Sequence, residues 1–264
     1  MRDFLNDIYE HVSDPDPVRR AQIQMKTPLP KRFYKEAAVG QDGERFTIEL
    51  DGRTVKTPAK RVLSLPTRAA ADLVVAEWQA QADVINPATM PITRLANSAL
   101  DGVANELDAV LADIVNYAGT DLLCYRADTP QSLIAAQASK WDPVVYWAAE
   151  TLGARFILAE GIIHQEQPAA AIEAYAAALG KYRDPIAVGA LHTITTLTGS
   201  ALLALAFAEG HLTSEEVWAA AHADEDWNIE QWGSDAEAEA RRAHRWQDLK
   251  ASSELFNAVI RPTG

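Results

Sequence analysis

The 264-residue chain carries 37 acidic residues against 24 basic ones, a formal net charge of −13, and one cysteine. That balance repels phosphate backbones, and no run of Lys or Arg is long enough to make a local exception, which argues against nucleic-acid binding. The lone Cys124 excludes an intrachain disulfide and a cysteine-rich metal site, and fits a reducing compartment.

The length allows two unequal domains. Residues 1–30 open with Phe4, Leu5, Ile8 and Val12 at a spacing that predicts one or two amphipathic helical turns, followed by a proline-rich arm. The start lacks the charged and apolar regions of a secretory signal and the Arg- and Ser-rich character of a mitochondrial transit peptide. A cytoplasmic, bacterial-type chain or an already mature one is therefore expected.

From Lys31 the pattern is short and strand-like: Arg32-Phe33-Tyr34, then Phe46 to Leu50, Arg53-Thr54-Val55 and Val62 to Leu65. Asp42-Gly43 and Asp51-Gly52 are hairpin dipeptides, because glycine accepts the positive φ that tight turns between twisted strands require. Pro58 and Pro66 confine the later strands to edges or ends. Residues 31–66 thus predict an antiparallel β-meander of about four strands, too small to be stable unsupported.

After Pro66 the period becomes helical, with Thr67 as N-cap and Ala71, Val74, Val75 and Trp78 along one face. Further helices are predicted over 92–117 with a break near Gly102, over 130–139, over 143–152 behind Asp142-Pro143, and over 169–179. Others follow over 185–208, 214–221 and 235–258. Thr213 with Glu216, and Ser234 with Glu237, have the spacing of the reciprocal capping box. The expected fold class is α+β: a small N-terminal antiparallel β domain over 31–66, then a larger helical domain over 67–264.

Residues 185–208 contain no charged side chain and are long enough to cross a bilayer, yet they include His192 and several threonines and have neither aromatic belt nor basic flank. They predict a buried helix, and a helix apolar nearly all round requires other helices packed on most sides.

Catalytic motifs are not found. Gly180-Lys181 lacks the rest of a phosphate loop, and Thr198-Gly199-Ser200-Ala201 lacks the second glycine of a hydrolase elbow and falls within a helical pattern. Ser200 reads as a small residue allowing close helix contact, and His192 as a core histidine with no carboxylate at helical spacing. His222, Asp224, Glu225 and Asp226 match neither an i, i+4 histidine pair nor a calcium loop. His164, Glu166, His211 and His244 form no constellation. Trp78, Trp141 and Trp147 fit amphipathic helices and are expected in the core. No metal, cofactor or catalytic residue is expected.

The segment from Asp224 to Glu237 is different. It places Trp227 and Trp232 among Asp224, Glu225, Asp226, Glu230, Asp235 and Glu237 with almost no basic residue. Aromatics are costly to leave in water and uncompensated carboxylates are costly to bury, so the mixture suits a half-exposed surface that meets a partner.

Six blocks in order then carry a resemblance. They are Lys31-Arg32-Phe33-Tyr34-Lys35, Leu50-Asp51-Gly52-Arg53-Thr54-Val55-Lys56-Thr57-Pro58, Ala76-Glu77-Trp78-Gln79, Thr120-Asp121-Leu122-Leu123-Cys124-Tyr125-Arg126, Trp141-Asp142-Pro143 and Trp232-Gly233. The chain resembles the assembly chaperones for the alpha subunit of the F-type ATP synthase, known in mitochondria as ATP synthase assembly factor two. The resemblance implies a protein without catalytic activity that binds the unassembled alpha subunit and shields its subunit interface. A monomer without membrane insertion is expected, and the alternative reading is a helical adaptor or small-ligand-binding protein with a different partner.

The resemblance also implies a small β domain with a larger helical domain, in agreement with the change of period. It places a functionally important acidic position at Asp224 or Glu225 and gives weight to Trp78. Asp224, Glu225, Asp226, Trp227, Glu230 and Trp232 become the expected partner-binding set, with Trp78 and Gly233 structural or functional. Asn228 stands where Gln is expected, and the tail after Ala243 matches poorly.

Overall fold

In the computed structural model the described residues are 28–161 and 165–262. The amphipathic turns expected over Phe4 to Val12, most of the proline-rich arm, and His164 lie outside them. The chain is α+β and divides into two compact units, Met1–Asn105 with Asn257–Gly264, and Glu106–Phe256. Strand gives way to helix at Pro66 and Thr67, while the helices up to Asp101 belong to the same unit as the sheet.

In the first unit, β1 (Ala37–Asp42) and β2 (Arg45–Leu50) pair antiparallel across the Asp42-Gly43 turn, in register from Asp42↔Arg45 to Ala37↔Leu50. β3 (Arg53–Thr54) returns at Asp51-Gly52, and β4 (Ser64–Leu65) pairs with the other end of β2. The expected strand at Arg32–Tyr34 is not formed. Lys31 makes one isolated bridge to Val84, and the Arg32 guanidinium binds the carbonyls of Tyr34, Lys35, Gln79 and Gln81. A side chain, not a strand ladder, thus satisfies this stretch of backbone. The strand lies instead in Ala37–Asp42, whose Ala, Gly and Asp have weak β preference.

Helix α1 (Arg68–Gln79) covers the sheet, with Ala70, Ala71, Val74 and Trp78 buried alongside Ile48, Leu63 and Leu65. Each such fully buried Val, Leu or Ile contributes roughly 1.5–3 kcal/mol. The predicted cap is present: Thr67 Oγ1 accepts from Ala70 N at 3.2 Å, and the same hydroxyl donates to Ala258 O at 2.7 Å. Trp78 lies in this core edge-on to Tyr34, whose hydroxyl donates to the Trp78 carbonyl at 2.6 Å.

Glu77 of the Ala-Glu-Trp block caps α2 (Pro91–Asp101), accepting from Ile92 N at 2.8 Å and from Thr93 N and Oγ1 at 2.7 Å each. Met90, ahead of α2, offers no capping side chain, so a remote carboxylate satisfies the helix's first amides. Burial outweighs these bonds and pushes the Glu77 carboxyl above its ordinary value.

The second unit contains α3 (Leu107–Gly119), the parallel pair β5 (Tyr125–Arg126) and β6 (Ala159–Glu160), α4 (Gln131–Trp147), α5 (Ala169–Leu179), α6 (Pro185–Thr198) and α7 (Ala201–Ala208). It continues with α8 (Ser214–Ala221), α9 (Ala223–Trp232) and α10 (Ala236–Ile260) as far as Phe256, the last residues of α10 belonging to the first unit. All eight residues of α7 are buried, and α3, α4, α6 and α8 surround it, which is the packing its all-apolar surface demands. Among the described residues no helix is long and apolar enough to cross a membrane.

Three expectations for this unit are corrected. The stretch 185–208 is two helices, separated where Gly199 adopts φ +67° and the Ser200 hydroxyl accepts from Leu203 N as the N-cap of α7. Ser200 is therefore a cap, not a small residue within a helix. Residues 130–152 are not two helices divided by Asp142-Pro143, because α4 runs through Pro143 and ends in a π-helical turn over Ala148–Leu152.

An interior proline costs about 3 kcal/mol. Here the residues beside it are anchored: buried Trp141 donates to Ala220 O at 2.7 Å, and Asp142 pairs with Arg126 at 2.6 Å. The third correction is that Ser234 does not cap α10 with Glu237. Asp235 does, accepting from Ala238 N at 2.8 Å, while the Ser234 hydroxyl donates to Glu239. The Thr213–Glu216 capping box on α8 is present as predicted.

Candidate partner-binding site

The acidic tryptophan segment folds as α9, a helix that the sequence pattern did not single out. Its three carboxylates Asp224, Glu225 and Asp226 occupy the first turn, where the positive end of the helix dipole favours them. One residue, His222, separates it from α8. That ring is buried, lies against Trp218 with centroids 3.7 Å apart and the planes tilted by 37°, and has Nδ1 2.9 Å from the Trp218 carbonyl. A carbonyl only accepts, so Nδ1 carries the proton in this contact. Burial, the largest influence, holds the imidazole below its ordinary pKa.

The neighbouring helices supply the cations and donors that the local sequence lacks. Gln137 of α4 donates to Asp224 at 2.8 Å, and Lys140 of α4 approaches Asp226 at 3.3 Å. Arg242 of α10 binds Asp226 and lies 3.9 Å from Glu225, which in turn lies 3.8 Å from His222 Nε2. Trp227 Nε1 donates to the Ser132 hydroxyl at 3.2 Å. Asp224, Asp226 and Trp227 are thus turned toward their own protein as well as being half-exposed. Glu230 and Trp232 lie outward, with Trp232 82% exposed.

Gln137, Lys140, Ser132 and Arg242 were missed because only tertiary packing brings them to α9. The one available signal was that Gln137 and Lys140 lie a helical turn apart on α4.

At the junction of α9 and α10, Gly233 adopts φ +82° and ψ 175°, a conformation that essentially only glycine tolerates. The reversal leaves a cleft of ≈ 410 Å³ lined by Ile229, Trp232 and Ala238, with Glu225, Asp235 and Glu239 as the acidic side chains of the lining and Arg242 as its basic one. The surrounding field has the same sign. Residues 106–256 contain 23 Asp and Glu against nine Lys and Arg, whereas 28–105 contain nine against ten.

The remaining candidates separate from this site. His192 is half-exposed and lies 2.9 Å from Asp113 of α3, a carboxylate supplied by packing. Ser200 is committed to capping α7. Among the described residues no cluster of His, Cys, Asp or Glu is arranged to hold a metal ion. Trp78 and Trp141 are buried, as expected, while Trp147 is half-buried and stacks on His211.

Comparison with known proteins agrees with this architecture. The model of the family described as ATP12 chaperone protein matches residues 31–149. The Atu1473 protein of Agrobacterium tumefaciens is similar in structure with a TM-score of 0.87 and 56% identity, covering 97% of this chain and 96% of its own. Atp12 from Paracoccus denitrificans is 39% identical, covers 87% of this chain and 98% of its own, and has a TM-score of 0.82. The mitochondrial protein atp12 of Schizosaccharomyces pombe is 22% identical over 256 residues, 91% of this chain and 87% of that protein. With a family match over its sheet and first helices, and with solved relatives alike over nearly the whole chain, the protein belongs to the ATP12 chaperone family.

Proposed function

We propose that this protein is an assembly chaperone that binds the unassembled alpha subunit of the F-type ATP synthase catalytic head and shields its subunit interface through α9. The observation that carries the reading is Trp232, 82% exposed at the end of a helix rich in carboxylates. A large aromatic left in water on a folded chain is an interaction feature, since it offers broad contact area with few rotatable bonds. An unassembled subunit exposes apolar interface that promotes aggregation, and a chaperone must cover it reversibly.

Glu230 and Glu225 then act at the rim, where charges tune encounter rate and salt dependence. The buried aromatic anchor contributes on the order of 2 kcal/mol or more to binding. Asp224 and Asp226, tied to α4 and α10, hold the helix that presents them.

The test is capture with separately expressed alpha and beta subunits. The tagged protein should retain alpha and not beta, and Trp232→Ala should weaken retention by tenfold or more without lowering thermal stability. Retention of neither subunit, or of both equally, overturns the assignment.

A further inference from the structure

Asp235 and Glu239, which line the cleft with Trp232, have no basic partner among the described residues, and neither has the exposed Glu230 on the same helix as Trp232. Glu230 has no ion pair, Asp235 accepts only the Ala238 amide, and Glu239 accepts the Ser234 hydroxyl. Arg242, the one cation lining the cleft, is turned to Asp226 and Glu225. The floor between these charges is apolar: Ile229, Ala238 and the face of Trp232. The carboxylates are spread along the rim and do not converge as a metal set.

A neutral apolar occupant would take these carboxylates from water with nothing to pair them, which is costly. An acidic occupant would be repelled. An apolar side chain flanked by Lys or Arg satisfies both parts of the lining at once, covering the Trp232 ring while ammonium or guanidinium groups meet Asp235 and Glu239.

We infer that the cleft between α9 and α10 seats a cationic amphipathic segment of the client, with one apolar side chain on the floor and basic residues on either side of it. Which protein presents the segment rests on the alpha-subunit reading above. The recognition chemistry does not.

Full-length protein is titrated with a labelled synthetic peptide of leucines and lysines at helical spacing, and with the same peptide carrying glutamate in place of lysine. The lysine peptide should bind and lose affinity as salt is raised, because exposed charge pairs are screened. The glutamate peptide should not bind. Ala238→Trp, which fills the cleft, and the exposed substitutions Trp232→Ala and Glu239→Lys should each weaken binding by tenfold or more, with unchanged circular dichroism.

Equal binding of both peptides, or indifference to all three substitutions, overturns the inference. So does a concentration-dependent dimer that Ala238→Trp dissolves, since the occupant would then be a second copy. Lysine-peptide binding that free alpha subunit cannot displace supports the cleft chemistry and removes the alpha-subunit assignment. Alpha subunit captured as well by Ala238→Trp and Glu239→Lys as by the unmodified protein does the reverse.

Discussion

Asp224 accepts a 2.8 Å hydrogen bond from Gln137 Nε2, and the same buried amide uses its Oε1 to accept from Ala127 N at 2.9 Å. One side chain of α4 therefore joins the start of α9 to the residue that follows β5. Gln137→Leu removes two hydrogen bonds at once and should cost about 1–3 kcal/mol in urea unfolding, at roughly 0.5–1.5 kcal/mol net for each. Trp232→Ala, at an exposed position, should stay within about 0.5 kcal/mol. If Gln137→Leu proves as neutral, the bond does not hold α9.

Trp78 should prove a stability residue. It is a buried residue of α1, in ring contact with Tyr34. Truncation to Ala removes its packing and leaves a cavity, for an expected loss of about 3–5 kcal/mol. Measured at a temperature where the variant remains folded, capture of the alpha subunit should be retained. A well-folded variant that fails to capture would instead place Trp78 in the interface.

Asp121 gives a pH signature. The carboxylate is fully buried and accepts from Leu202 N at 2.8 Å and Leu123 N at 3.0 Å, yet burial outweighs these bonds and raises its pKa from 3.8 to about 6. The folded chain thus keeps this proton where the unfolded chain has lost it. The group's contribution to stability is fully present below about pH 4 and is lost as the pH rises through about 6.

The stability difference between the unmodified protein and Asp121→Asn should accordingly move against the unmodified protein from about pH 4 to pH 7, by on the order of 3 kcal/mol. A difference that does not change with pH would show that Asp121 stays ionised throughout.

Gly233 sets the angle between α9 and α10. A Cβ meets no atom within 4 Å there, so the penalty of Gly233→Ala is conformational alone. At φ +82° and ψ 175° it should be roughly 1–3 kcal/mol. Because the strain falls on the junction, peptide binding in the cleft should weaken along with the unfolding midpoint. Unchanged binding would mean that the cleft tolerates a different junction.

The Asp-Gly hairpins, the Thr67 cap, the capping box at Thr213 and the demand of α7 for neighbours on every side were legible because each is a local rule with a local cause. What escaped was decided by tertiary contacts. Arg32 satisfies carbonyls across the sheet unit and so replaces a strand, while Trp141 and Asp142 anchor a helix through Pro143 against its propensity. The acidic tryptophan segment was recognisable as a surface from composition alone. Its helix, its cleft and its division into inward-tied Asp224 and Asp226 and outward Trp232 depended on α4 and α10, which no window of sequence around it contains.

The break at Gly199 has a consequence for the apolar run that it divides. Residues 185–208 form an uncharged run of the length that membrane-insertion machinery accepts as a span. As helices, α6 reaches roughly 21 Å and α7 roughly 12 Å, each short of the ~30 Å hydrocarbon core of a bilayer. Gly199 and the capping Ser200 thus partition the most apolar part of the protein into two pieces. Folding can enclose both pieces, and neither can cross a lipid bilayer.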